Sequence, residues 1–470
     1  MGSKLDASRE CPAESHSLKR EIGLFTAGVL VVANMIGTGI FTTSGFIIQE
    51  VKEPLVLLVS WLVGGIFALC GALCYGELGA AFPEAGGEYV YLRESLGRLA
   101  AFLSGWISLW VGFSAPIAAS AIAFATYGCG FLSVPVQPLF RVTIFPETVW
   151  TITPVELAAV AAILILSFVH YYGIKEGSRV QNALTGFKIL IIILFITGGF
   201  IWGNGSRAHF SGDFSLASLF KKEFAVSLIF ISFAYSGWNA ATYLGSEIKS
   251  PRRNIPLALL LGTGTVLILY LLLNAVYIYA LPVQRMSGVL EIGALSAASL
   301  FGPTSGRYFS GALAIGILSA LSAMILTGPR VYYAMARDGS FFELFGRVNG
   351  KTCTPAFSIF LQAAMAILFI VTASFEKLLI YIGFTLALFA LLTVLGLMRL
   401  RLKGSIRSAS YRTFGYPVTP ILFIAGNLWI AYISIRSRPT ASLWGLVTIG
   451  AGLLAYFYFR KEKGKHAQSR

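Results

Sequence analysis

Apolar runs long enough to cross a bilayer alternate with short polar gaps along almost the whole chain. Twelve such runs lie near 22–48, 55–82, 100–128, 154–171, 183–203, 224–247, 257–281, 308–336, 355–372, 378–398, 417–435 and 443–459. Roughly 20 helical residues span the hydrocarbon core, and at these lengths only a helix satisfies its own backbone groups in lipid. The two-residue alternation of a transmembrane β-barrel is absent from the sequence. The pattern predicts an all-α membrane protein with 12 transmembrane helices. Polar segments over 1–21 and 460–470 flank the spans as tails. The first run is too long, and begins too late, for a cleavable signal peptide.

Of the 470 residues, 56% are hydrophobic and 12% charged, against about 25% charged in a soluble globular chain. That excludes a conventional soluble enzyme and a disordered scaffold. A formal charge of +15 would suit nucleic acid in a soluble protein, but here Lys and Arg gather in the gaps between apolar runs and report topology, so no nucleic-acid partner is expected. With the amino terminus cytoplasmic, the inside segments carry roughly 24 Lys and Arg and the outside ones about 10. Both termini are therefore expected on the cytoplasmic side of a plasma membrane. The five cysteines are Cys11, Cys70, Cys74, Cys129 and Cys353. Their number is odd and two lie within an apolar run, which argues against a disulfide framework.

The first span, Gly28-Val-Leu-Val-Val-Ala-Asn-Met-Ile-Gly-Thr-Gly-Ile-Phe41, carries Gly37, Thr38 and Gly39 about half-way along. Glycine costs a helix about 1 kcal/mol relative to alanine and admits both non-helical dihedrals and close approach by a ligand. A small-residue packing face is the alternative reading of the same residues. The sixth span repeats the feature as Phe233-Ala-Tyr-Ser-Gly-Trp-Asn239, with Ser236, Gly237, Trp238 and Asn239 at mid-depth. Interrupted helices at corresponding positions of two halves point to a secondary transporter with inverted repeats and a site at the bilayer midplane. An unwound turn offers the free N–H groups of the next half-helix to an anion and the carbonyls of the preceding one to a cation. A zwitterionic amino acid matches both.

These residues resemble the amino acid–polyamine–organocation superfamily of permeases, nearest its L-type amino acid transporter-like branch. The resemblance rests on Ile36-Gly-Thr-Gly-Ile-Phe41, on Tyr75-Gly-Glu-Leu-Gly-Ala-Ala-Phe-Pro-Glu-Ala-Gly-Gly-Glu-Tyr-Val-Tyr-Leu-Arg93, on Phe233 to Asn239, and on Ser246-Glu-Ile-Lys-Ser-Pro-Arg-Arg-Asn-Ile-Pro256. It implies a LeuT-like fold: inverted five-helix repeats over 22–203 and 224–398, discontinuous helices 1 and 6, and two further helices over 417–459. It also implies a carboxylate-binding turn at Gly37, Thr38 and Gly39, amine-binding carbonyls near Ile36 and on Phe233 and Ala234, and a gate at Phe233. Trp238 and Asn239 then line the pocket, and Ser236 stands where the family commonly has a second glycine.

Lys188 is the sole lysine assigned to a span, near its expected cytoplasmic end, so snorkelling to the interface is one reading. The resemblance implies another: sodium-independent members place a lysine where sodium-coupled relatives hold an ion. Lys188 is then expected to tie the fifth helix to the first-helix turn and to Ser319 or Ser322. Glu77 reads as a helix-end gate or loop partner, His170 as interfacial, Arg330 as facing a vestibule or carbonyl cluster, and Pro116 as a kink.

The third span and the central parts of the eighth and tenth, which would surround a substrate side chain, contain no acidic residue. An unpaired buried charge is costly, which favours neutral amino acids over cationic ones or polyamines. Ser114, Ala118 and Ser319 are small and leave room beside the backbone site. Zinc-protease, nucleophile-elbow and Walker A motifs are missing, which argues against a membrane enzyme. No cofactor or metal is expected. A receptor that binds without transporting stays open. Cys129 lies at a helix end, not clearly in the loop through which some branch members bind a glycoprotein, so a self-sufficient subunit is expected.

Overall fold

Five of the long helices begin on a proline, Pro54, Pro154, Pro251, Pro303 and Pro439, at the helical position where the missing N–H costs nothing. The structure, a computed structural model, describes residues 20–468 except 146–147, 213, 351, 353, 373–374, 407–409 and 438. Cys11, Cys353 and most of the amino-terminal tail therefore lie outside the described residues. Among those described, 10 helices are long and apolar enough to cross a membrane. The other two expected spans are the shorter Ala356–Thr372 and the interrupted sixth. The result is an all-helical bundle with one small hairpin, Phe140–Phe145 against Thr148–Ile152, in the linker after the third span.

Several boundaries differ from those the hydropathy pattern predicts. The fifth helix runs Ile174–Trp202, starting nine residues early because a polar stretch before residue 183 continues it. The last helix runs Pro439–Gln468, past the expected end at 459. A helix at Ile292–Phe301, too short to span, fills the linker between the seventh and eighth spans. In the third span the helix widens to a π-helical segment over Ser108–Ser114, just before Pro116. Proline cannot donate to the carbonyl a turn earlier, and such a bulge accommodates the loss.

The two halves of the chain meet along the broken helices. The Glu21 and Ile22 N–H groups donate to the Glu247 carbonyl at 2.9 and 3.0 Å, and the Lys249 N–H donates to Ile22 O at 2.8 Å. The start of the first span is thus sewn to the exit of the sixth. On the same side, the linker after the second span folds back: Ala85 bridges Leu244, and the Gly86 N–H donates to Tyr243 O at 3.1 Å. That fold-back carries the Glu88–Ser95 helix under the sixth-span break.

Candidate functional site

The first span is two half-helices, Leu24–Met35 and Thr38–Val51, separated by Ile36 and Gly37 in non-helical conformations. The interruption is narrower than the glycine pattern suggests: Thr38 and Gly39 already open the second half-helix. Its first-turn N–H groups lack intrahelical acceptors, as at any helix start. In the sixth span the helix Lys222–Ala234 ends, Tyr235 to Asn239 turn, and a single helical turn resumes over Ala240–Tyr243. Gly237 sits at φ +91°, where a side chain is strained, and a Cβ there would lie 2.9 Å from Asn34 Cβ.

The two interruptions touch. A Cβ on Gly39 would come within 2.5 Å of Ala234 Cα, so the start of one half-helix rests directly on the end of the other. Tyr270, from the seventh span, reaches both: its hydroxyl lies 2.5 Å from Met35 O and 3.0 Å from Ala234 O. Lys188 approaches the first break from the fifth span, its ammonium donating to Ala33 O at 3.2 Å and to Ile36 O. These carbonyls end the first half-helix, where its dipole is negative. Lys188 is 2% exposed and forms no ion pair among the described residues.

Snorkelling is excluded by the longer fifth helix: with Ile174 as its start, Lys188 lies fourteen residues in, roughly 21 Å at the helical rise. The expected ties to Ser319 and Ser322 are not made. The lysine stem lies against Gly316 of the eighth span, and Ser322 Oγ instead pairs with His170 Nε2 at 2.8 Å. Ser319 Oγ is buried without a hydrogen-bond partner among the described residues. His170, expected at the interface, is buried, because the early start of the fifth helix brings Gly177 over its ring.

A cavity of about 110 Å³ opens beside the sixth-span turn. By the same measure a single water needs about 10–15 Å³, so the space holds a small organic molecule or several waters. Ser236, Gly237, Trp238 and Asn239 line it, as does Asn34 of the first span. The other residues expected at the site do not: Ile36, Gly37, Thr38, Gly39, Phe233 and Ala234 are packed into the crossing, and Ser114, Ala118 and Ser319 are fully buried. The cause is the crossing itself, which closes the two turns on one another. Of the three carbonyls assigned to an ammonium, Ile36 O is engaged by Lys188 and Phe233 O by the Ser236 N–H at 2.9 Å, while Ala234 O competes with Met35 O for the Tyr270 hydroxyl. Each keeps a second lone pair.

The cavity also contains an acid that the spans alone do not supply. Glu88 is 6% exposed and lines the space. Its Oε1 accepts the Tyr75 hydroxyl at 2.5 Å and the Asn239 amide at 3.0 Å. Trp238 stands edge-on to Tyr75, ring centres 4.6 Å apart. Burial pushes the Glu88 carboxyl up to about 7, against the pull of its two hydrogen bonds. Glu88 and Tyr270 are the residues sequence reasoning misses. A tyrosine in the middle of the apolar run around Leu269 was the available signal for the second, since a buried hydroxyl needs a partner.

Ion pairs tie the adjoining end of the bundle together. Arg330, at the end of the eighth span, forks onto Glu247 at 2.9 and 3.3 Å and donates to Leu326 O at 2.5 Å. Glu77 pairs with Arg401 at 2.6 Å and accepts from the Thr413 N–H and hydroxyl, the loop-partner role. Among the described residues no group of three or more His, Cys, Asp or Glu is placed to hold a metal.

A sequence model described as amino acid permease matches residues 22–455. Over 457 residues the chain is 30% identical to the b(0,+)-type amino acid transporter 1 of Homo sapiens, covering 96% of this chain and 90% of that protein. It is 29% identical over 467 residues to the Large neutral amino acids transporter small subunit 2 of Mus musculus, with 96% and 84% covered. It is also 29% identical over 460 residues to the Serine/threonine exchanger SteT of Bacillus subtilis (strain 168), with 96% and 99% covered. The match runs through both broken spans and the helices around them, and on it the chain belongs to the amino acid permease family of the amino acid–polyamine–organocation superfamily, multi-pass membrane transporters of LeuT-like fold and not enzymes.

Proposed function

We propose that the chain is a secondary-active transporter of neutral L-amino acids, a sodium-independent exchanger or proton-coupled symporter, that holds the substrate zwitterion between its two broken helices. The observation that carries this reading is the crossing: two mid-span interruptions rest on each other at Gly39 and Ala234, with Tyr270 in reach of both. Separation of the crossing frees the amides that start the Thr38–Val51 half-helix for the carboxylate and the carbonyls of Ile36, Phe233 and Ala234 for the ammonium. Phe233 closes over the bound molecule. The Lys188 ammonium occupies the first break, so no sodium ion is needed there, and loss of its proton would break the tie and couple transport to protons.

The repeats are 22–203 and 224–398, followed by helices over 417–459, and the Lys and Arg bias puts the tails in the cytoplasm. Alternating access is a rocking of the broken helices, with substrate binding energy shifting the balance between states. The large-neutral relative is named a small subunit. For this chain we read Cys129, buried at the end of the third span, as unavailable to bridge a partner, and the subunit as self-sufficient. Counterflow of labelled amino acid into proteoliposomes of the purified chain tests the reading. Saturable exchange supports a carrier; binding without flux makes it a receptor, and flux without saturation a channel.

A further inference from the structure

Glu88 presents one oxygen that none of the described residues uses. Tyr75 and Asn239 both donate to Oε1, and Oε2 has no hydrogen-bond partner among the described residues. The side chain is nevertheless buried, and it lines the cavity beside the sixth-span turn. The groups that face it are neutral: Tyr75 from the second span, Tyr91 from its own helix, and Asn239 and Tyr243 from the sixth-span turn. Beyond them stand Tyr332, at the end of the eighth span, and Thr393 of the tenth. The guanidinium on the same short helix, Arg93, is taken by Glu84, Glu94 and Asp338. An ionised carboxylate in this position is an uncompensated buried charge, which is strongly disfavoured. Either a proton or a cation from the cavity must answer it.

We propose that Glu88 is the side-chain recognition group of the site: its free oxygen takes the ammonium end of a cationic amino-acid side chain, and a proton in its place when the transported amino acid is neutral. Both loaded states then leave the cavity electrically neutral, one as an ion pair and one as a carboxylic acid beside an uncharged side chain. A neutral amino acid entering in exchange for lysine carries one proton with it, bound to Glu88 on the loading side and released when lysine takes its place on the other. The inference rests on the transport reading above and extends its substrate class. The titration of Glu88 near neutrality makes the two forms interchangeable across the physiological range.

The test uses the purified full chain in liposomes loaded with unlabelled lysine and a trapped pH dye. External alanine is expected to enter with acidification of the lumen and no change in membrane potential, whereas external lysine enters without acidification. The ratio of lysine to alanine uptake is expected to rise about a hundredfold from about pH 6 to about pH 8, the rise in the ratio of ionised to protonated form of a carboxyl titrating near 7. In Glu88→Gln lysine uptake is expected to fall at least tenfold and the pH slope to vanish, while Glu88→Asp, which keeps the carboxylate, retains the slope. Alanine entry in exchange for lysine without acidification overturns the proposal on the wild-type protein alone, whatever the variants do. So does a Glu88→Gln protein with wild-type lysine uptake and pH slope. A wild-type protein that exchanges no amino acid overturns the transport reading instead.

Discussion

The Tyr270 hydroxyl lies 2.5 Å from the Met35 carbonyl, at the last turn before the first span breaks. The same oxygen is 3.0 Å from Ala234 O, the corresponding position of the sixth span. One O–H supplies one hydrogen, so the two carbonyls compete for it, and the shorter contact marks Met35 as the holder in this conformation. Tyr270 is braced by the edge of Trp61, ring centres 5.2 Å apart, which fixes the hydroxyl between the breaks.

Tyr270→Phe is expected to remove the hydroxyl hydrogen bond to Met35 O, which keeps the Gly37 N–H at 2.8 Å, a loss of about 0.5–1.5 kcal/mol. Because the ring is kept, packing against Trp61 survives. The expected outcome is a folded protein whose apparent affinity for amino acid falls about tenfold, equivalent to about 1.4 kcal/mol. Competition by unlabelled amino acid in a proteoliposome exchange assay measures it, and an unchanged affinity removes Tyr270 from the site.

Lys188→Met separates stability from function. The substitution strips the donor from Ala33 O and Ile36 O but also removes a buried cation that has no acidic partner, and the two effects oppose one another. Thermal stability is expected to change by less than about 1.5 kcal/mol in either direction, because the lost hydrogen bonds and the relieved burial of charge nearly cancel. Exchange is expected to fall at least tenfold. Wild-type exchange with the wild-type pH profile in Lys188→Met contradicts the assignment of its charge to the first break.

The breaks themselves were legible in the sequence because Gly37 and Gly237 sit beside polar residues in otherwise unbroken apolar runs. What surrounds them was not. The partners of Lys188 depend on where the fifth helix starts, and hydropathy cannot see that residues 174–182, rich in polar side chains, prolong an apolar helix. Glu88 was hidden for a different reason: it belongs to a linker, and only the Ala85–Leu244 bridge and the Gly86 to Tyr243 hydrogen bond swing that linker into the cavity. The closed crossing at Gly39 and Ala234 is likewise a property of two helices 195 residues apart, invisible to any local pattern.

Gly237→Ala is expected to cost more than about 2 kcal/mol, combining a left-handed backbone with a methyl group driven against Asn34. Gly264→Ala is the control. Gly264 lies within the Pro251–Ala280 helix with nothing near a new Cβ, and there alanine is expected to stabilise by up to about 1 kcal/mol. Thermal unfolding in detergent compares them; equal effects would remove the special demand at the sixth-span turn.

The central claim is that the freed backbone groups of the two breaks grip both ends of an amino acid. Exchange of labelled alanine in proteoliposomes, challenged in turn with alanine, alaninamide and N-acetylalanine, asks it directly. The account predicts that alanine alone competes and that each derivative, lacking the carboxylate or the ammonium, is weaker by at least tenfold. Equal competition by either derivative contradicts it, because one of the two ends would then be unread.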